Sequence, residues 1–207
     1  MPVEHMSQIS HVADIHTSRL DLIAITPLAL HCEAAAAPEY RAQLGQILDA
    51  EVPASWPVEH WEPHVFDWLL NQIAADPRVI GWTRYVSLRD PVTGSRTLIG
   101  TFGSLYPGET SRQIEVGYGI LPEYRRCGYA SEAMEAMLAW IQSFFPARCF
   151  VAQTFPHLAP SIGVLEKTGF TFVGPGFEEG TILYRRDCAS ASEPAFTPHP
   201  PSADNET

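Results

Sequence analysis

The chain has 207 residues and a formal net charge of −11, with 24 acidic side chains against 13 basic ones. That length suits one ordinary domain with a proper core. The 45% hydrophobic and 18% charged content is that of a globular protein, and the acidic balance argues against nucleic acid, whose phosphates need a basic surface. An acidic surface favours cationic partners, though only weakly.

Cys32, Cys127, Cys149 and Cys188 form no CxxC pair, so neither a disulfide framework nor a zinc site is indicated. Reduced cysteines fit a cytoplasmic protein. Residues 1–16 are polar and carry acids, unlike a signal peptide. No apolar run approaches the roughly 20 residues of a membrane span. No metal and no membrane partner are expected.

Residues 1–16 read as a flexible leader and 188–207, rich in Ser, Pro, Ala and acids, as a disordered tail. Between them lies one domain, 17–187. Residues 18–25 (SRLDLIAI) alternate as a first strand. Residues 27–50 read as one or two helices interrupted near Pro38. Residues 52–64 form a loop with two tryptophans and three prolines, and 65–75 have helical spacing. Strands follow at 79–88 and 97–105. The Asp-Pro and Thr-Gly signals between them predict a hairpin. Another strand covers 113–121.

The clearest helix runs from Ala130 to Phe145, with apolar residues at i, i+3, i+4, i+7, i+8, i+11 and i+15. A strand at 148–155 and a helix at 160–168 come next; Gly169 stops that helix. Strands at 170–173 and 181–186 close the domain, joined by GPGFEEG.

The stretch LPEYRRCGYASEA, residues 121–133, joins a strand to the long helix. Arg125, Arg126, Cys127 and Gly128 enter the helix, and none caps its free backbone N–H groups well. Arginine at a helix start also opposes the macrodipole. A bound anion resolves both conflicts: the N–H groups and dipole attract it, the arginines neutralise it, and Gly128 admits it closely. The alternative is a solvated loop with water on the N–H groups. The nucleotide patterns GxxxxGK[ST] and GxGxxG are absent, which argues against a nucleoside triphosphate or dinucleotide.

These residues resemble a known family. Arg125-Arg126-Cys127-Gly128-Tyr129-Ala130 fits the [QR]-x-x-G-x-[GA] loop of the GNAT N-acetyltransferases. IEVGYGILPEYRRCGYASEAM and SIGVLEKTGF are similar to the ribosomal-protein acetyltransferase-like branch. The resemblance implies an α/β (α+β mixed) fold: a central mixed, largely antiparallel sheet flanked by helices, with one parallel pair at the 113 and 148 strands. It implies that Arg125 to Ala130 hold the pyrophosphate of acetyl-CoA as cosubstrate. It further implies an acyltransferase acting on an amine of a small molecule or protein N-terminus, as a monomer or homodimer. One departure stands out. The family often has an Asn three residues before the Ser of the later helix, where this chain has Leu158. That gap motivates an alternative: a catalytically inactive CoA-binding sensor or interaction protein.

Acetyl transfer needs a base, a polarised carbonyl and a protonated leaving group. Glu115 shares a strand face with Gly117 and Gly119, a carboxylate beside a glycine groove, and is the candidate general base. The alternative is a Glu held by a neighbouring strand or facing solvent. Backbone N–H groups at Ile120 and Leu121 are candidates to polarise the thioester if the strand splays as in the family. Ser161 is the candidate contact to the sulfur or pantetheine; His157 is a further candidate for the missing Asn's role. Tyr118 and Tyr184 carry hydroxyls but read as packing residues. His60 and His64 are four apart, yet Pro63 argues against a shared helical face. Aromatics between Trp56 and Trp68 are candidates to roof a substrate pocket. Cys127 lies where the pyrophosphate belongs, away from the thioester, so transfer is expected to be direct.

Overall fold

Apolar side chains alternate along the central strands and are buried on both faces of the sheet, so the core has two halves. Leu22, Val86 and Ile99 belong to one half; their neighbours Ile23, Tyr85 and Leu98 belong to the other. The computed structural model describes residues 12–106 and 112–188. The leader and tail readings for 1–11 and 189–207 lie outside the described residues.

The elements are β1 (Ile15–His16), β2 (Leu20–Ala24), α1 (Pro27–Ala35), α2 (Tyr40–Leu48), α3 (Pro63–Ala75), β3 (Thr83–Arg89), β4 (Arg96–Ser104), β5 (Gln113–Ile120), α4 (Tyr129–Gln142), β6 (Cys149–Thr154), α5 (Ala159–Lys167), β7 (Thr171–Pro175) and β8 (Ile182–Asp187). They form one mixed α/β domain. The eight strands are ordered β1-β2-β3-β4-β5-β6-β8-β7. Every neighbouring pair is antiparallel except β5 and β6. That single parallel pair is where the sequence predicts it, because α4 carries the chain across between the two strands.

Local chemistry explains the boundaries. Thr26 caps α1 by accepting from the Ala29 N–H, and Pro27 sits in its first turn. The break near Pro38 separates α1 from α2 as read. Pro63 starts α3 two residues earlier than the apolar spacing indicates. β3 starts later than expected because Pro77–Val79 forms a 3₁₀ turn capped by Asp76. Asp90 closes the predicted hairpin by accepting from the N–H groups of Val92 and Thr93. β1 was not foreseen: two residues of the leader pair with β2 across a turn at 17–19.

α4 buries Ala133, Met134, Met137, Leu138 and Ile141, the apolar stripe read from the sequence. It covers one sheet face together with Leu165 of α5. α1, α2 and α3 cover the other. Among the described residues no helix is long and apolar enough to cross a membrane.

Candidate active site

The site begins with a break in the sheet. β5 pairs with β6 only through Gln113, Ile114 and Glu115, opposite Cys149, Phe150 and Val151. From Val116 to Ile120 it pairs with β4 alone. The two strands therefore part just after Glu115. A cavity of about 530 Å³ fills the opening, with Glu115, Tyr118, Gln153 and Ser161 on its walls. A larger cavity, about 710 Å³, lies by α2 and the β3–β4 turn and is lined by none of the residues singled out for chemistry. Chemistry rather than size selects the smaller one.

Backbone register decides which groups of β5 face the opening. Leu105 donates to the Glu115 carbonyl at 2.9 Å, and Leu121 donates to the Ile99 carbonyl at 2.8 Å. Odd-numbered residues of β5 thus bond to β4, and the even-numbered groups point the other way: those of Ile114 and the Val116 N–H to β6, and those of Tyr118 and Ile120 into the gap. This corrects one expectation. The Leu121 N–H is already used by the ladder, so it is not a free donor; of the two proposed donors only Ile120 remains. The two glycines also separate in role. An added Cβ at Gly117 would meet open space, whereas at Gly119 it would lie 3.1 Å from Val58. Gly119 makes room for the loop before α3, and Gly117 leaves the cleft open.

Glu115 is half-buried on the cleft wall. Its Oε1 accepts from Gln153 Nε2 at 2.7 Å. Among the described residues no partner is recorded for its Oε2. Across the cleft, the Tyr118 hydroxyl donates to the Ser161 carbonyl at 3.1 Å and lies 3.3 Å from Ser161 Oγ. Burial raises the Tyr118 phenol above its usual range, opposed by its bond to Ser161. Tyr118 also stacks on Phe102, so it combines packing with a polar tip in the cleft. The Ser161 N–H donates to the Leu158 carbonyl at 2.9 Å, but among the described residues its hydroxyl makes no bond to the helix backbone. Tyr184 lies elsewhere, with its hydroxyl 3.5 Å from Glu166. His157 stacks on Phe155, while Leu158 lines the cleft.

Beyond Ile120 the chain enters the arginine loop. α4 has Gly128 as its N-cap, at φ 84°, and no side chain caps it. Arg126 also takes a positive φ, 63°. The first intrahelical bond is Glu132 N–H to the Gly128 carbonyl. The N–H groups of Tyr129, Ala130 and Ser131 have no recorded acceptor among the described residues. The missing cap inferred from sequence is thus real, and free N–H groups at a helix start are a ready anion site. The arginines divide. Arg125 donates Nε to the Ile120 carbonyl at 2.8 Å and lies 3.8 Å from Glu59. Arg126 is exposed and its side chain has no bonding partner among the described residues. A third arginine, missed in the sequence, stands nearby: Arg19 donates to the Cys127 carbonyl at 3.1 Å and pairs with Glu132. Cys127 is exposed on the loop.

The loop before α3 builds the cleft's other wall. Glu59, His60 and Trp61 line the cavity, with Trp68 from α3. Trp56 does not; it is buried, and its indole donates to Glu33 at 2.7 Å. Trp61 donates to the same carboxylate, at 3.1 and 3.2 Å to its two oxygens. The Tyr85 hydroxyl is a third donor. Burial pushes Glu33 above the ordinary carboxylate value, opposed by its hydrogen bonds from Tyr85, Trp56 and Trp61. His60 and His64 lie exposed beside Glu59 and Glu62 respectively. Sequence reasoning passed over Glu33 and Gln153. Glu33 had one available signal: a lone charge on the buried stripe of α1, beside Ala29 and Leu30.

The sequence matches the family described as "Acetyltransferase (GNAT) domain" over residues 28–171. This chain belongs to the GNAT acetyltransferase family. It is therefore an acyltransferase. Solved structures share its fold at low identity. An acetyltransferase from Agrobacterium tumefaciens is 18% identical with a TM-score of 0.56, covering 86% of this chain and 95% of its own. The ribosomal-protein-S5-alanine acetyltransferase from Vibrio fischeri is 16% identical with a TM-score of 0.57, covering 85% and 97%. RimL, a ribosomal L7/L12 alpha-N-protein acetyltransferase solved with coenzyme A, is 16% identical with a TM-score of 0.55, covering 84% and 98%. No curated protein sequence matches the chain.

Proposed function

We propose that the domain at 17–187 moves the acetyl group of acetyl-CoA directly to a primary amine, with Glu115 as general base. The acceptor is a small molecule or a protein N-terminus. The observation that carries this reading is the parting of β5 from β6. It opens a cleft that starts at Glu115 and runs toward the uncapped start of α4. The diphosphate of acetyl-CoA binds the N–H groups from Gly128 to Ser131, with charge from Arg126. Arg125, Cys127, Tyr129 and Ala130 shape that loop. The pantetheine lies along β5, where the backbone of Tyr118 and the N–H of Ile120 face the gap, the Ile120 carbonyl being held by Arg125. Ribosomal-protein acetyltransferases are among the solved structures of this fold, and one of them, RimL, an alpha-N-protein acetyltransferase, holds coenzyme A, which supports both the cosubstrate and the amine acceptor.

In the reaction the amine nitrogen attacks the thioester carbonyl carbon. The amine proton passes to Glu115 Oε2, and the Ile120 N–H stabilises the carbonyl oxygen. The carbon–sulfur bond then breaks, the Ser161 hydroxyl donates a hydrogen bond to the departing thiolate, and the proton held by Glu115 passes to solvent, from which the thiolate is protonated. Incubating the protein with acetyl-CoA and a panel of amines should release free thiol. The Leu158 substitution favours the second reading, a CoA binder without turnover. Tight CoA binding with no thiol release across the panel would establish that reading against ours.

A further inference from the structure

Gln153 holds a position that its type alone does not explain. It lies on β6 two residues past Val151, the partner of Glu115, so it stands at the point where the strands part. Its Oε1 accepts from the Phe177 N–H at 2.5 Å and the Glu178 N–H at 3.0 Å. The Thr181 hydroxyl lies 3.1 Å from the same oxygen and 2.7 Å from the Glu178 carbonyl, and its one proton serves the nearer of the two. All three groups belong to the β7–β8 loop. With Oε1 so engaged, the amide has one orientation. A flip would set its NH₂ against two N–H groups that cannot accept. Nε2 must therefore face β5, where it donates to Glu115 Oε1 at 2.7 Å. The loop is packed tightly on this amide. A Cβ at Gly176 would fall 2.0 Å from Thr181 Oγ1 and 2.7 Å from Gln153 Oε1.

The geometry points to Gln153 as a positioning residue for the Glu115 carboxylate. The β7–β8 loop fixes the amide, the amide fixes Oε1 of Glu115, and Oε2 is left to meet the amine. Gln153 touches no reacting atom; it acts through Glu115. This inference rests on the reading of Glu115 as the base.

Two substitutions separate positioning from mere support of the loop. Gln153→Glu keeps an acceptor for both loop N–H donors but cannot donate to Glu115 when ionised, and it repels it. Gln153→Leu removes both functions. Turnover is measured by thiol release, and loop order by hydrogen exchange at the Phe177 and Glu178 amides. We expect kcat to fall on the order of 10²-fold in both variants, the scale of a misplaced catalytic group. KM for acetyl-CoA should stay within about twofold, far below the tenfold that ~1.4 kcal/mol would bring. Amide protection should survive in Gln153→Glu and drop in Gln153→Leu. Wild-type kcat in Gln153→Glu would overturn the positioning role and leave Glu115 untouched. Wild-type kcat in Glu115→Gln would instead remove the base, and the inference with it.

Discussion

Replacing Glu33 by alanine strands three buried donors, the indoles of Trp56 and Trp61 and the hydroxyl of Tyr85. An unsatisfied buried donor costs about 1–3 kcal/mol, so the gross loss is roughly 3–9 kcal/mol. Removing a buried charge returns a few kcal/mol of desolvation. The net loss should be about 3–5 kcal/mol, which lowers Tm by roughly 6–20 °C in a domain of this size. Glu33→Gln is a different test. It surrenders charge-assisted hydrogen bonds and the desolvation penalty together, so stability at neutral pH should stay within about 2 kcal/mol of wild type. The pH dependence has a definite sign. Burial raises the folded-state value of Glu33 above its ordinary 4.5, so the folded chain holds this proton more tightly than the unfolded chain. The associated stability is full below pH 4.5 and is lost as pH rises through the raised folded value. Urea denaturation of wild type and Glu33→Gln at several pH values isolates this term, because the other carboxylates cancel. The wild-type advantage should shrink as pH rises. A Glu33→Ala protein within about 1 kcal/mol of wild type would refute the reasoning, since stranded donors cannot cost so little. So would a wild-type advantage that grows with pH.

Glu115→Gln should lower kcat by about 10²–10⁴-fold with CoA affinity preserved, as measured by thiol release and calorimetry; equal loss of both would remove the base assignment. Gly128→Val forces a β-branched residue to φ 84°, at a cost to the fold of about 1–2 kcal/mol. Calorimetry should find CoA binding abolished while circular dichroism stays native. Arg126→Glu should weaken CoA by about tenfold or more, with the gap from wild type closing at high salt. Gly176→Ala should destabilise by about 1–3 kcal/mol in urea, since its Cβ would overlap Thr181.

The sequence was most legible where chemistry is local. The α4 stripe, the Asp90 turn and the uncapped arginine loop each depend on residues within a few positions of one another. Glu115 was visible for the same reason, through alternation with Gly117. Its partner was not. Gln153 is 38 residues away, and only the β5–β6 register brings the two together. The Glu33 cluster spans 23, 28 and 52 residues to its three donors, so no periodicity reports it. Leu121 illustrates a different limit. Whether a strand N–H is free depends on which neighbour its odd residues face, and one residue of register decides it. β1 has two residues, too few for any pattern.

Three residue pairs stitch β5 to β6, while five strands lie to one side of that seam and three to the other. The sheet is thus two wings sharing a short hinge line, braced by α4 and by the Gln153–Glu115 bond. Widening the cleft and loosening the hinge are then the same displacement. Each added rung would strengthen the sheet by closing the site, and each lost rung would widen the gap by freeing the wings. The length of this seam therefore sets mechanical stiffness against room for a ligand, and here the bargain is struck at Glu115.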